Sequence, residues 1–219
     1  MIKTAILVDG AFYRKRAYYF WGDKSPSERA TELANYCKRH IKEEKDGADL
    51  YRVFYYDCPP SNKKVFHPLT QQTVDLGKSD LYKWTLDFFS ELKHQRKFAL
   101  RLGKLSEDQA AFVLTQSATR KLLSGSMQLK DLTSNDFTLS ISQKGVDMRI
   151  GIDISSVAFK HQVDRIILVS GDSDFVPAAK QARREGIDFI LDPMRSQIKD
   201  DLFEHIDGMR TKAPQKPVT

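Results

Sequence analysis

Short apolar runs that alternate with helical segments are the feature that most constrains the fold of this chain. Thr4–Val8 and Arg165–Val169 are apolar at almost every position, without the alternation of a half-exposed strand. Strands of this kind are buried on both faces, as in a parallel sheet that helices cover. Because helical segments separate the strands, right-handed crossovers can join them in parallel. The sequence therefore predicts an α/β fold with a mainly parallel central sheet.

Periodicity predicts the remaining elements along the chain. Helices are predicted at 27–47, from a Ser27 cap to Gly47, and at 81–92, 146–159 and 176–185. Further strands are predicted at 50–56, 98–105 and 187–191, and more weakly at 137–141. Residues 61–78 are predicted to be a polar loop, and 106–135 show no clear pattern. We expect a single domain over 1–195 with an insertion around 58–135, followed by a C-terminal helix and a basic, proline-containing tail at 196–219.

Composition excludes several classes of protein. No stretch reaches the roughly 20 apolar residues of a membrane span. The apolar run at the start of the chain is too short for the core of a signal peptide. Cys37 and Cys58 are far apart and the five histidines are scattered singly. Neither a zinc site nor a disulfide framework is therefore expected, and both thiols should be buried and reduced. These observations favour a cytoplasmic protein without a membrane partner.

Aspartates follow the two apolar strands at the points where they end. Asp9 comes directly after the first strand, and Asp172 and Asp174 follow the strand that ends at Val169. Because parallel strands end at the same edge of a sheet, these side chains should meet there. Asp147 opens the helix before the second of these strands and could join them. Such carboxylates would have raised pKa values unless a divalent cation kept them ionised, and oxygen ligands favour Mg²⁺ or Mn²⁺ over zinc.

Each carboxylate also has an ordinary structural interpretation. Asp9 with Gly10 could form a strand-ending turn, and Asp174 could cap the helix that follows it. Asp153 is a weaker metal candidate, because Arg149 could form a salt bridge with it on the same helix. None of these interpretations explains why all the carboxylates fall at one predicted edge.

The formal net charge of +6 is consistent with a polyanionic partner. Arg14, Lys15 and Arg16 are interleaved with aromatic residues that begin at Tyr13, a mixture that suits phosphate contacts and base stacking. Lys144 lies close in sequence to Asp147 and is another candidate for a phosphate contact. The alternative is a helix whose charged face is solvated and whose aromatic side chains point into the core.

Three segments resemble the motifs of the NYN domain, in the LabA-like branch of the PIN-like ribonucleases: ILVDG, KGVDMRIGIDI and ILVSGDSDFVPAAKQARREG. The resemblance implies a three-layer α/β/α fold, PIN-like and Rossmann-like, whose acidic pocket binds Mg²⁺ or Mn²⁺ and hydrolyses RNA. It also implies that Asp9, Asp147, Asp172 and Asp174 are the catalytic, metal-binding carboxylates and that RNA is the partner, which we expect to be single-stranded. Phe12 departs from the family, many members of which have Asn there.

Two other functions stay open at this point. A phosphatase of the haloacid dehalogenase type needs a second Asp two positions after its nucleophile, where this chain has Ala11. A non-catalytic RNA-binding or scaffold module could keep a vestigial acidic pocket, although an unpaired carboxylate cluster would then destabilise the fold. The oligomeric state is not determined by the sequence, and a homodimer is one option.

Overall fold

The computed structural model describes residues 1–42 and 47–217. The strands of these residues are β1 (Ile2–Asp9), β2 (Ala48–Asp57), β3 (Lys64–His67), β4 (Gln72–Asp75), β5 (Phe98–Leu102), β6 (Lys104–Leu105), β7 (Ala111–Leu114), β8 (Phe137–Ser140), β9 (Gln143–Lys144), β10 (Arg165–Val169), β11 (Asp188–Asp192) and β12 (Gly208–Met209). The helices are α1 (Gly10–Trp21), α2 (Pro26–Lys42), α3 (Asp80–His94), α4 (Gln116–Leu123), α5 (Val146–Phe159), α6 (Val176–Arg184) and α7 (Asp200–Phe203).

The chain divides into two compact units, and the first contains a six-stranded sheet. This unit comprises residues 1–58, 87–103 and 145–219. Its strand order is β12-β11-β10-β1-β2-β5, and every neighbouring pair is parallel. The predicted α/β fold with a mainly parallel sheet is thus confirmed.

Helices cover both faces of this sheet. From β1 the chain moves through β2 to β5 in one direction along the sheet, and from β10 it moves through β11 to β12 in the other. Right-handed crossovers in opposite directions place their helices on opposite faces. The helices α1 and α2 therefore form one outer layer, and α5 and α6 form the other, giving three layers.

The core of the first unit lies along β1 and β10. Ala5–Val8 and Ile166–Val169 have no solvent exposure, as expected for strands that are covered on both faces. Helix α1 turns Tyr13, Ala17 and Phe20 into this core, at the spacing of one helix face. The alternative interpretation of the basic, aromatic segment, a helix with aromatic side chains in the core, is correct for these positions.

The second unit comprises residues 59–86 and 104–144. It contains the antiparallel pairs β3–β4, β6–β9 and β7–β8, and the rings of Phe112 and Phe137 lie 4.6 and 5.1 Å from that of His67. The prediction of a polar loop over 61–78 was wrong, because β3 and β4 form a hairpin there. Strands of four residues with one buried face are too short to give a clear period in the sequence.

The helix boundaries were predicted with unequal success. Helix α5 and strand β10 have the predicted bounds. The Ser27 cap was wrong, because α2 begins at Pro26 and Ser25 hydrogen-bonds with Glu28 at its start. The predicted end of that helix falls partly on 43–46, which lie outside the described residues. Cys37 and Cys58 are buried, as expected.

Candidate functional site at the carboxyl edge of the sheet

The register of the sheet brings the ends of three strands together. Val8 is paired with Val169 of β10 on one side and with Tyr55 of β2 on the other. Asp9 and Asp57 are the last residues of their strands, and Ser170 comes directly after β10. Polar side chains distant in sequence therefore share one edge of the first unit, as the strand order requires.

Asp9 occupies the middle of this edge and caps helix α1. One carboxylate oxygen, Oδ1, accepts a hydrogen bond from the backbone nitrogen of Phe12 at 3.1 Å, and Oδ2 lies 3.4 Å from the hydroxyl of Ser170. Burial raises the pKa of Asp9 to about 6, and the negative charges of Asp147 and Asp57 add to the rise. Asp9 is thus a helix cap rather than part of a turn, and it is poorly solvated when ionised.

The segment after β10 forms a short 3-10 turn at Ser173–Phe175 that leads into α6. Asp172 caps this turn, because its Oδ1 accepts from the backbone nitrogen of Asp174 at 3.0 Å. The N-cap residue of α6 is Phe175, so Asp174 is not the cap that the sequence allowed. Both aspartates are exposed to solvent.

Asp147 links the two groups of carboxylates electrostatically. It stands in the first turn of α5, after Gly145 in a left-handed conformation with φ 77°. Partial burial and the charges of Asp172 and Asp174 raise its pKa, and Asp147 in turn contributes to the raised pKa of Asp9. The charge of Asp147 therefore acts on Asp9 on one side and on Asp172 and Asp174 on the other.

Asp57 is a component that sequence reasoning missed. It is fully buried at the end of β2, and Arg14 Nη2 lies 3.2 Å from its Oδ1. The hydroxyl of Tyr55 and the backbone nitrogen of Cys58 also donate to it, at 3.1 and 2.8 Å. These donors satisfy the hydrogen-bonding capacity of the Asp57 carboxylate, which holds the Arg14 guanidinium in position. Its position after a strand, like that of Asp9, was the signal available in the sequence.

Asp153 has a different role from the one considered for it. Its carboxylate accepts from Tyr56 Oη at 2.8 Å and pairs with Arg101 Nε at 3.0 Å. The predicted partner Arg149 instead donates to the carbonyl of Leu102 at 3.1 Å. The structure does not bring Asp153 to the other aspartates, because these contacts direct it towards the β2–β5 side of the sheet.

The residues predicted to contact RNA lie in different environments. Tyr13 is fully buried and its hydroxyl donates to Glu32 at 3.0 Å, which contradicts its assignment to RNA. Arg16 donates from Nη2 to the carbonyl of Met194 at 2.7 Å, so its guanidinium forms a hydrogen bond within the protein. Lys15 is exposed on α1, and Lys144 is an exposed residue of β9 in the second unit.

The chemistry of these donors fits a hard divalent cation. Among the described residues, no three His, Cys, Asp or Glu side chains are grouped closely enough to hold one metal ion. Mg²⁺ is commonly bound by only one or two carboxylates, with water and substrate phosphate completing its shell. The raised pKa values of Asp9 and Asp147 indicate a negative site that such a cation would stabilise.

The model of the NYN domain family matches residues 88–205, a range that includes Asp147, Asp172 and Asp174 but not Asp9. No curated protein matches the chain. A solved protein of unknown function from Vibrio parahaemolyticus is 18% identical, with a TM-score of 0.46, over 95% of this chain and 91% of that one. No helix of the described residues has the length and apolar character needed to cross a membrane.

Proposed function

Since the chain belongs to the NYN domain family, whose members are PIN-like and generally nuclease-like, we propose that it is a metal-dependent ribonuclease that cuts single-stranded RNA. The observation that carries this proposal is the register of β1 and β10, which brings Asp9 and the segment of Asp172 to the same edge of the sheet, with the charge of Asp147 contributing to the raised pKa of Asp9. Such a cluster destabilises a fold without a cation, and nucleases of this superfamily typically depend on divalent metals.

The four aspartates have distinct parts in the proposed site. Asp9, Asp147, Asp172 and Asp174 would together form the negative site for Mg²⁺ or Mn²⁺, with one or two of them contacting the ion directly and water and phosphate completing its shell. A bound cation would neutralise the scissile phosphate and stabilise the charge that develops on its oxygens. One of the two exposed carboxylates, Asp172 or Asp174, would accept the single proton that the attacking water loses.

Neighbouring side chains would support this chemistry. The Ser170 hydroxyl lies close to Asp9 and accepts a hydrogen bond from the backbone nitrogen of Asp172 at 3.3 Å, so it fixes the two segments relative to each other. Arg14 is partly exposed and its guanidinium is held by Asp57. Its positive charge beside Asp9 is suited to attract an anionic phosphate.

A non-catalytic RNA-binding module is the second candidate. The observation that favours it is the lack, among the described residues, of three side chains grouped to hold one ion. Such a module would bind RNA through its basic and aromatic side chains, and its affinity would not depend on Asp172.

The test is an incubation of the purified protein with end-labelled single-stranded RNA in Mg²⁺, Mn²⁺ or EDTA. We expect cleavage with a metal ion, none with EDTA, and none with Asp172→Asn. The matched control is Asp23→Asn, an exposed aspartate in the loop between α1 and α2, which should cleave like the wild type. Binding without cleavage in either metal would instead support the non-catalytic module.

A further inference from the structure

A groove of about 760 Å³ runs between α5 and α6. Met148, Ile152 and Phe159 line it from α5, and Pro177 and Gln181 line it from α6. The two helices approach closely at its floor, where a Cβ atom on Gly151 would lie 4.0 Å from that of Ala178. The groove is therefore a depression with side chains on both walls.

The α5 wall presents large apolar side chains to solvent. The exposed fractions are 71% for Met148, 59% for Ile152 and 69% for Phe159. These positions recur at helical spacing and so form one stripe along the helix. They cannot contribute to the core, because the buried face of α5 is formed by Val146, Ile150, Ile154, Val157 and Ala158. A contiguous exposed apolar stripe of this kind indicates a binding surface.

One end of the groove is the carboxylate site itself. Asp147 and Asp174 line it together with the apolar residues. A ligand that occupies the groove would therefore extend to the aspartates. The lining residues, all of which the structure describes, include no lysine or arginine. A phosphate would therefore meet only negative charge along the groove, whereas an uncharged planar group would meet apolar walls.

We infer, on the basis of the proposed function, that this groove binds unpaired nucleobases of the RNA strand that leads away from the scissile phosphate. Phe159 ends α5, about 18 Å along the helix from Asp147, and supplies an aromatic face for stacking a base a few nucleotides from the cut. The Ser155 hydroxyl and the Gln181 side-chain oxygen at the lining supply hydrogen bonds to a base edge, while the Gln181 nitrogen donates to Glu185. A base within a duplex keeps its neighbours on both faces and cannot enter. The groove therefore predicts a preference for single strands.

The test compares a short oligouridine with a base-free ribose-phosphate chain of equal length. Binding of the two labelled chains is measured by fluorescence anisotropy in EDTA, so that cleavage plays no part. The variants are Met148→Ser and Phe159→Ser, with Met209→Ser and Phe66→Ser as controls of the same residue types, at 55% and 57% exposure. All four side chains are exposed, so the variants should fold.

We expect the wild type to prefer the oligouridine by about tenfold or more, the scale of stacking one base on an aromatic side chain. The groove variants should lose most of this preference and the controls should keep it. Unchanged preference in the groove variants would overturn the inference while leaving the nuclease proposal intact. A wild-type dimer that the groove variants convert to monomers, seen by sedimentation, would also overturn it, because the groove would then bind a second copy of the chain.

Discussion

The hydroxyl of Ser170 lies 3.4 Å from Oδ2 of Asp9, across a separation of 161 residues in the sequence. The same hydroxyl accepts from the backbone nitrogen of Asp172 at 3.3 Å. Ser170 has no solvent exposure, so this bridge is fixed by the strands β1 and β10 on which it stands. Ser170 thus connects the segment that contains Asp9 with the segment that contains Asp172.

Ser170→Ala tests this bridge. The hydrogen bond from Ser170 lowers the pKa of Asp9, so its loss should raise that pKa further and weaken metal binding. Loss of a hydrogen-bonded neighbour of a metal ligand typically lowers metal affinity by about tenfold or more, and we expect the free energy of unfolding to fall by about 1 kcal/mol. Calorimetric titration with Mn²⁺ and urea unfolding measure the two effects. Ser156→Ala, in α5, is the control, and equal metal affinity in both variants would contradict the assignment.

The raised pKa of Asp9 predicts how stability depends on pH in the metal-free protein. An aspartate with a pKa of about 6 in the folded state and 3.8 ordinarily is protonated more readily when folded. Its ionisation therefore destabilises the fold as pH rises from about 4 to 6, and the effect is complete above pH 6. The total is at most about 3 kcal/mol, at 1.4 kcal/mol for each pKa unit.

Asp9→Asn should remove this pH dependence. Asparagine can still accept the hydrogen bond from Phe12, so the cap of α1 is retained. We expect the variant to be more stable than the wild type at neutral pH and similar to it near pH 4, by urea unfolding in EDTA. If the free energies of unfolding of the wild type and Asp9→Asn differed by the same amount at every pH from about 4 to 6, Asp9 would not be destabilised by its surroundings.

Two aspartates of one helix should respond in opposite ways to substitution. Asp147→Asn removes a charge that its neighbours repel, so we expect cleavage to be lost without loss of stability. Asp153→Asn removes the partner of Arg101, so we expect cleavage to persist and the free energy of unfolding to fall by up to about 1 kcal/mol. Initial cleavage rates and melting temperatures of both variants provide the comparison. Loss of cleavage in Asp153→Asn with retained folding would restore it as a metal ligand.

Gly10 is required by the close approach of α1 to β2. A Cβ atom there would lie 2.5 Å from the carbonyl oxygen of Tyr56 and 2.6 Å from Cζ of Tyr55. Gly10→Ala should therefore lower the free energy of unfolding by about 1 to 3 kcal/mol, as other overpacked sites do. Gly151→Ala in α5 meets no atom closer than 4.0 Å, and we expect it to be neutral or stabilising by up to about 1 kcal/mol. Denaturant unfolding of the two variants should separate them clearly.

The sequence predicts the central sheet well because its strands are buried on both faces. The bounds of β10 coincide with an apolar run that ends at a serine and a glycine, and those of α5 with a helical period opened by Gly145. The hairpin β3–β4 was missed because a strand that alternates over four residues resembles a polar loop. Local pattern is informative only where an element is long or wholly buried.

The candidate site was predictable only in part from the sequence. Parallel topology predicts that Asp9 and the Asp172 segment share an edge, since strand ends converge there. The sequence does not predict that Asp57 binds Arg14 or that Arg16 binds the carbonyl of Met194, because both contacts depend on the packing of α1. The sequence does not show in which direction a side chain points. Tyr13 is an example, because it stands among basic residues and is fully buried.

Metal binding itself tests the central claim most directly, and calorimetric titration of the metal-free protein with Mn²⁺ measures it without any RNA. We expect the wild type and Asp153→Asn to bind Mn²⁺ with similar affinity, and Asp147→Asn and Asp172→Asn to bind it at least about tenfold more weakly, since each lacks a carboxylate of the site. The wild type should also melt at a higher temperature with Mn²⁺ than with EDTA. Equal Mn²⁺ affinity in all four proteins, or no binding by the wild type, would contradict a metal site formed by these aspartates.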